Sequence, residues 1–313
     1  MSMKAIQTRT PSGRRAIYSA SVRALGPLYA RAGSAYLAGD NRSSALAIAA
    51  RLVAAGSAVT VGYWPRQGES SADVAAEVYA TLDALGDAAL YGRVASLSLK
   101  AARLGFDAGV VRHLASLAAE RDVRLVFDAH SPAEADRTLE LAREARRAGA
   151  LTGVVLPARW GRSADDAAMA AESGLWVRVV KGQWPGSAPG TRLSAEDALR
   201  ASFLDLVDRL SGLHVPFALA THDPAVLEEA LARRTAAGAQ SEVELLLGLP
   251  IRRPLHVARQ SGASIRFYVS YGYPGLPYPF RSVLLRPRLA WLLTQGLVLG
   301  GRNQAIQQQA ALR

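Results

Sequence analysis

VRVVKGQW, at residues 177–184, is the stretch of sequence that best indicates the fold. It is an apolar run, interrupted by Arg178, that ends abruptly at Lys181. The same layout recurs in LATHDP at 219–224 and in IRFYVSYG at 265–272, where groups that carry charge or hydrogen bonds follow apolar residues. Buried strands with polar side chains at their carboxyl ends are typical of a parallel barrel with its functional site at one mouth.

From residue 58 onwards, apolar runs of strand length alternate with helical patterns, and the three segments above belong to these runs. The eight candidate strands lie at 58–64, 94–100, 123–129, 152–158, 175–181, 215–221, 241–247 and 264–270. Strands that alternate with helices form βαβ units, and eight such units can close on themselves. The sequence therefore predicts a (β/α)8 barrel. An open doubly wound sheet is the alternative, although no GxGxxG motif follows the first strand.

Helical patterns flank the predicted barrel at both ends. Apolar residues recur at helical spacing within 16–32 and 43–55, so we expect an N-terminal helical segment at 1–56 and a barrel domain at 57–313. After the last strand, a loop rich in Gly and Pro leads into a final helix that begins near Phe280. We expect this helix to cap the mouth of the barrel.

Composition narrows the classes of function. The absence of cysteine excludes disulfides, thiolate nucleophiles and cysteine-bound metal, and it fits a reducing compartment. The net charge of +11 comes mainly from arginines scattered along helices, so we do not expect nucleic-acid binding. No apolar leader or membrane-spanning run is found. We expect a cytoplasmic protein, with peripheral association with an anionic membrane surface left open.

Several charged residues stand at or near the ends of predicted strands. Lys100 and Lys181 each end a strand, where a lysine can bind an anionic ligand, act as a Schiff-base amine or simply be solvated. Arg178 alternates with valines, so it points inward and needs a partner, either a flavin or a carboxylate. Asp128 is the natural partner for a lysine, in a structural or a catalytic pair.

Two further pairs of polar residues precede predicted helices. A cap residue followed by proline begins the helices after the third and sixth strands. Asp128 and His130 stand just before one of these helices, and Thr221 and His222 just before the other. Both pairs are therefore expected at the mouth. A His/Asp metal site is conceivable from these residue types, but the DxH spacing is weak evidence and we expect no metal.

Taken in order, these segments resemble the proline dehydrogenase family, flavin-dependent (β/α)8 barrels, over about residues 58–292. WVRVVKGQW resembles the signature Arg-Leu-Val-Lys-Gly-Ala-Tyr, and FDAH resembles Asp-Ala-Glu. ATHD resembles Ala-Thr-His-Asn, IRFYVSYG resembles Arg-Val-Tyr-Val-Pro-Tyr-Gly, and SLSLKAARLG resembles the lysine-bearing strand. Each match falls at a predicted strand end.

The resemblance implies FAD as cofactor and assigns roles to residues of this chain. It implies FAD contacts from Arg178, Lys181, Gly182, Trp184, Thr221 and His222. It implies a substrate side formed by Lys100, Asp128, Tyr268, Tyr278 and Arg281. The implied activity is the oxidation of an amino or imino acid to an imine. The implied partners are that small molecule and an electron acceptor such as a quinone.

The sequence also departs from the family pattern. Pro157 and Glu244 each stand where the family has a glutamine, and Ser282 and Leu285 replace an arginine and a glutamate near the predicted final helix. Losing one charge-assisted contact to the substrate carboxylate costs about 1.5–3 kcal/mol. We therefore expect a modified or carrier-bound proline analogue as substrate. A Schiff-base lyase that uses Lys100 or Lys181, and a non-catalytic or FAD-less descendant, remain as alternatives.

Overall fold

The computed structural model describes residues 37–87, 95–182 and 196–273, and in these ranges eight parallel strands form a closed barrel. Each strand pairs with its neighbours in sequence, and the last returns to the first. The strands are β1 Ala58–Trp64, β2 Ser96–Leu99, β3 Arg124–Phe127, β4 Thr152–Pro157, β5 Trp176–Val180, β6 Phe217–Ala220, β7 Glu242–Leu246 and β8 Ser264–Gly272. The predicted (β/α)8 barrel is therefore confirmed.

Helices surround the barrel, as the alternating pattern predicts. They are α1 Arg42–Ala54, α2 Ser71–Asp87, α3 Ala108–Glu120, α4 Pro132–Arg147, α5 Ser163–Glu172, α6 Glu196–Gly212, α7 Pro224–Ala236 and α8 Arg252–Gln260, with a 3₁₀ turn at Ala101–Leu104. Residues 1–36 of the N-terminal segment and the predicted final helix lie outside the described residues.

The predicted helix starts after the third and sixth strands are present, each with proline in its first turn. Asp223 caps α7, because its Oδ1 accepts the backbone N–H of Ala225 at 3.2 Å. At α4, Ser131 makes no side-chain cap bond, and Glu134 instead accepts the backbone N–H of His130 at 2.9 Å. Both starts place the preceding polar residues at the carboxyl ends of the strands.

Helix α1 packs on the outside of β1 and β8 and belongs to the helical layer of the barrel. The residues just before it pair with the end of β8, where the backbone N–H of Ala38 donates to the carbonyl of Ser270 at 2.6 Å. The described part of the N-terminal segment is thus in contact with the barrel. The division of the chain after residue 56 stays a prediction.

The main apolar core lies between the strands and the helices, and every other strand residue points into it. Buried members from the strands include Leu97, Leu125, Val177, Leu219, Val243 and Phe267. These residues form the near-continuous apolar runs by which the strands are recognisable in the sequence. The alternate residues of each strand point into the barrel.

The barrel interior is polar, whereas barrels of this type are usually filled with branched apolar side chains. Hydrogen bonds between strands that are not neighbours cross the interior: Arg178 on β5 reaches Thr60 on β1 at 3.3 Å, and Arg266 on β8 reaches Ser96 on β2 at 3.1 Å. An apolar cluster accompanies them, formed by Val126, Val155, Trp176 and Ala218. Buried charge inside the barrel therefore has to be balanced by specific partners.

Candidate functional site

Lys100 is a nearly buried cation at the mouth of the barrel. It follows β2, is 6% exposed, and its Nζ lies 4.7 Å from the ring centre of Trp64. Nζ donates to the Tyr268 hydroxyl at 3.3 Å, and that hydroxyl is 3.2 Å from Ser98 Oγ. Within the described ranges no carboxylate comes within ion-pairing distance of Nζ. Because a desolvated ammonium needs a counterion, this position favours an anionic ligand.

Asp128 and His130 lie beside Lys100 at the end of β3. Asp128 Oδ2 is 3.8 Å from His130 Nε2, and the imidazole stacks on Trp64 with ring centres 5.5 Å apart. Burial raises the pKa of Asp128, but His130, Lys100 and Arg178 outweigh burial and hold this pKa below its ordinary value. Asp128 is therefore a carboxylate at neutral pH, close to Lys100 without being paired to it.

Arg178 points into the barrel and is held there by Glu244. Its Nε donates to Glu244 Oε2 at 2.6 Å and its Nη2 to Oε1 at 2.8 Å, with the two side chains 5% and 2% exposed. The guanidinium also lies 4.9 Å from the ring centre of Tyr268. Burial lowers the pKa of Arg178, but Glu244 raises it above its ordinary value. The partner that the sequence requires for Arg178 is thus a carboxylate of the chain itself.

Lys181, at the end of β5, is bound by two carboxylates. Its Nζ donates to Asp223 Oδ2 at 2.6 Å and to Glu196 Oε1 at 2.8 Å. Burial raises the pKa of Asp223, but Lys181 and Arg200 lower it below its ordinary value. Two carboxylates stabilise the charged ammonium, whereas a Schiff-base lysine is activated by desolvation or by another cation. This arrangement argues against the lyase alternative at Lys181.

Gly182 follows Lys181 with a φ of +83°, which a side chain rarely tolerates. A Cβ at this position would lie 2.8 Å from Cβ of Pro157. The carbonyl of Gly182 accepts Nε of Arg159 at 2.8 Å. The close approach of the β4 and β5 ends at this point therefore requires glycine.

His222, at the end of β6, is bound by backbone groups at both ring nitrogens. Nε2 accepts the N–H of Leu246 at 2.9 Å, and Nδ1 lies 3.2 Å from the carbonyl of Pro250. Because a backbone N–H can only donate, the imidazole is the neutral tautomer with its proton on Nδ1. Burial lowers the pKa of His222 to about 4. His222 thus ties the end of β6 to the segment after β7.

The structure brings the predicted site residues into two groups at one mouth. One connected cluster consists of Lys100, Asp128, Arg178 and Tyr268. The second group lies at the adjoining ends of β5 and β6 and consists of Lys181, Gly182, Thr221 and His222. Trp184, Tyr278 and Arg281 lie outside the described residues. Their predicted roles stay predictions.

Three residues of the mouth were not singled out from the sequence. Trp64 ends β1 and lies against both Lys100 and His130, and Thr60 and Ser98 bond Arg178 and Tyr268. Trp64 has a recognisable signal, since it is an aromatic residue at a strand end like the residues that were chosen. Thr60 and Ser98 have none, because small hydroxyl residues are common in strands that face a polar interior.

In the described ranges, no group of three or more His, Asp or Glu side chains is arranged to hold a metal ion. In the same ranges, no helix is both long and apolar enough to cross a membrane.

Comparison with known proteins agrees with this arrangement. No protein-family model matches the chain. Proline dehydrogenase 1 of Bacillus subtilis (strain 168) is 26% identical over 282 residues, which cover 84% of this chain and 89% of the relative. The protein of the same name from Bacillus subtilis subsp. natto matches equally well. The motifs quoted above follow the family order along the barrel strands. Over most of its length, the chain is therefore similar in sequence to a proline dehydrogenase.

Solved structures show the same barrel. Proline utilization A from Bdellovibrio bacteriovorus superposes with a TM-score of 0.67 at 17% identity, over 90% of this chain. The protein from Corynebacterium freiburgense superposes with a TM-score of 0.62 at 18% identity, also over 90% of this chain. This chain spans about a third of the length of those two proteins, 34% and 35% respectively. At these identities the likeness supports the fold alone.

The described residues of the mouth fit a flavin, with less charge than the family pattern implies. Nη1 of Arg178 has no hydrogen-bond partner among the described residues, so a guanidinium oriented by Glu244 keeps one nitrogen for a ligand. Glu244 neutralises much of its charge. Pro157 offers neither the amide of a glutamine nor a backbone donor. FAD contacts are therefore expected mainly from the ends of β5 and β6.

Proposed function

We propose that this protein is an FAD-dependent oxidoreductase that oxidises proline or, more readily, a modified or carrier-bound proline analogue to an imine. One observation carries the proposal: Lys100 is nearly buried at the mouth and has no carboxylate partner in the described ranges. The family resemblance implies that the substrate carboxylate binds at this lysine, which supports the proposal. Trp64 and Tyr268 form an aromatic wall beside it, suited to the apolar carbons of a ring.

Each described residue has a proposed task. Lys100 pairs with the carboxylate of free proline or donates to the carbonyl oxygen of a carboxyl-linked analogue, and Tyr268, held between Lys100 and Ser98, positions the substrate. Asp128 stays anionic and favours a cationic amine nearby. When bound, FAD supplies the redox chemistry by accepting a hydride. Arg178, fixed by Glu244, directs its remaining N–H groups towards that cofactor.

The preference for a modified substrate is supported by the departures near the chain's C-terminal end. Ser282 stands where the family has a carboxylate-binding arginine, and Leu285 stands where it has a glutamate. Free proline would lose one charge-assisted contact, worth about 10- to 150-fold in binding. A substituent or a carrier attached to the carboxyl end removes the need for that contact. The proposed electron acceptor is a quinone or another small oxidant, in the cytoplasm or at a membrane surface.

The test begins with the visible spectrum of the purified protein. We expect a yellow chromophore, or uptake of added FAD, and bleaching under anaerobic conditions by a prolyl ester or amide more rapidly than by free proline. Lys100→Met should keep the chromophore and raise KM for free proline by about 10- to 150-fold. The matched control is Arg112→Gln, an exposed change on α3. A colourless protein that takes up no FAD would refute the proposal.

A non-catalytic descendant is the second candidate. Two features favour it because both reduce the polar contacts available to a flavin, namely Pro157 and the Arg178–Glu244 pair. It predicts that restoring the glutamine at 157 and the arginine at 282 produces no gain in FAD binding or turnover. The lyase alternative now depends on Lys100 alone. It predicts that borohydride traps a carbonyl compound on Lys100, with no flavin bleaching in any variant.

A further inference from the structure

A cavity of about 840 Å³ lies at the end of the barrel opposite the mouth. It is bordered by the first residues of β5 to β8 and by the ends of α6 and α7. Trp176, the first residue of β5, borders the cavity, whereas Lys181 follows the last residue of β5 at the mouth. At ~3.3 Å per residue, these two ends of the strand are about 16 Å apart. The cavity is therefore separate from the candidate active site, and nothing assigned above uses it.

The lining of this cavity, which we call the floor cavity, carries more positive than negative charge. Four arginines border it, Arg124, Arg233, Arg234 and Arg266, against two carboxylates, Asp208 and Glu242. Both carboxylates already have partners. Asp208 binds Arg233 at 2.5 Å, and Glu242 binds Arg266 at 2.8 Å. A net positive charge remains after this pairing.

Arg234 is also accounted for within the fold. It lies in the last turn of α7, where a cation complements the helix dipole. Its Nη2 donates to the carbonyl of Gln240, and its guanidinium covers the ring of Phe217 at 4.1 Å. The arginine that lacks an anionic or hydrogen-bonding partner is therefore Arg124.

Arg124, at the start of β3, stacks on Trp176 with the guanidinium 4.7 Å from a ring centre. Among the described residues, no hydrogen bond or ion pair reaches this guanidinium, and its Nη1 is shielded from solvent. Burial and the neighbouring Arg266 lower the pKa of Arg124 to about 10, so the side chain is still charged at neutral pH. A shielded donor with no acceptor is rare in folded proteins, since it forfeits the hydrogen bonds it makes with water.

We propose that the floor cavity is a binding site for a small anion, a carboxylate or phosphate compound that pairs with Arg124. Arg124 borders the cavity together with Trp176 and Arg266. The volume is in the range of small-molecule sites, so a compound larger than an inorganic ion fits. The planar fork of arginine suits both carboxylate and phosphate groups. The site lies outside the proposed catalytic mouth and does not depend on its function.

The test measures anion binding to the purified full-length protein. Isothermal titration calorimetry with inorganic phosphate and, separately, with succinate distinguishes the two anion types, and sodium chloride of equal ionic strength controls for screening. We expect one of the two anions to bind and to raise Tm beyond the chloride control. Arg124→Gln should weaken that binding at least 10-fold, the loss of one charge-assisted pair.

Two further variants keep the result interpretable. Arg233→Gln borders the same cavity but is paired with Asp208 and Glu229, so it should bind the anion like the parent protein. Arg124→Lys keeps the charge and should retain partial binding if Arg124→Gln fails to fold. The proposal is overturned if neither anion binds more tightly than chloride, or if the Arg124 variants bind like the parent. FAD content and turnover are not used, so this outcome is independent of the proposed function.

Discussion

Replacing Glu244 by glutamine removes one charge from an ion pair in the middle of the barrel and leaves Arg178 charged there. The two side chains share hydrogen bonds of 2.6 and 2.8 Å, and both are almost completely buried. Glutamine has one oxygen to accept one of these bonds, and its NH₂ group then faces a guanidinium N–H. The variant therefore loses the charge balance and one of the two hydrogen bonds.

The expected cost follows from burial. Breaking a buried pair by removing one partner costs about 3–5 kcal/mol, because the remaining charge is uncompensated. Because glutamine retains one hydrogen bond, we expect Glu244→Gln to lower the unfolding free energy by about 3 kcal/mol, the lower end of this range. Replacing both Arg178 and Glu244 by methionine removes both charges together. We expect the double variant to be close to the parent in stability, since apolar replacement of a whole buried pair is often neutral.

Urea unfolding followed by circular dichroism measures these differences for the parent, Glu244→Gln, the single variants Arg178→Met and Glu244→Met, and the double methionine variant. Glu242→Gln is the matched control, because Glu242 pairs with Arg266 but is 19% exposed and should cost less. The two side chains are not energetically coupled if Glu244→Gln lowers the unfolding free energy by less than about 1 kcal/mol. The same conclusion follows if the destabilisation of the double variant equals the sum of the destabilisations of its single variants. The FAD-loaded variant should also show a higher flavin reduction potential, because the positive charge of Arg178 is no longer neutralised.

Three further predictions concern His222, Gly182 and Ser282. His222 has a pKa of about 4 in the folded protein and about 6.5 when unfolded, so its neutral form favours folding above pH 6.5 and this stability is lost as the pH falls towards 4. This pKa difference corresponds to at most about 3 kcal/mol, and a urea midpoint measured against pH should show the loss in the parent but not in His222→Asn. Gly182→Ala combines a positive φ with a contact to Pro157 and should cost about 1–3 kcal/mol, seen as a lower Tm; an unchanged Tm would contradict the strain. Ser282→Arg should raise kcat/KM for free proline by about 10-fold or more in a dye-reduction assay, and no gain would contradict the role inferred for the family arginine.

The strands were predictable because their signal is local. A buried parallel strand is a short apolar run, and each of the eight runs lies where the structure has a strand, with ends differing by up to two residues. The polar residues at the strand ends were predictable for the same reason, since a strand and its end are adjacent in sequence. Closure then places all eight ends at one mouth, so Lys100, Asp128 and Tyr268 meet there without any long-range signal.

The partners inside the barrel were not predictable in this way. Arg178 clearly needed a counterion, but Glu244 is 66 residues away and was recognised only as a departure from the family pattern. Likewise, no sequence signal indicates that both ring nitrogens of His222 bind backbone groups, and its predicted contact with FAD stays a prediction. The floor cavity and the unpaired Arg124 had no sequence signal, because a charged residue at a strand start is usually solvated.

By itself, the sequence determined the elements of this protein and the end of the barrel where its chemistry lies, because hydrophobic periodicity and strand ends are properties of neighbouring residues. Only the tertiary structure decided which charges are paired and which are left without a partner. Pairing inside a barrel depends on register and closure, which bring together side chains from strands that are far apart along the chain. Among the described residues, Lys100 at the mouth and Arg124 at the floor are two shielded cations that this closure leaves without a carboxylate at ion-pairing distance.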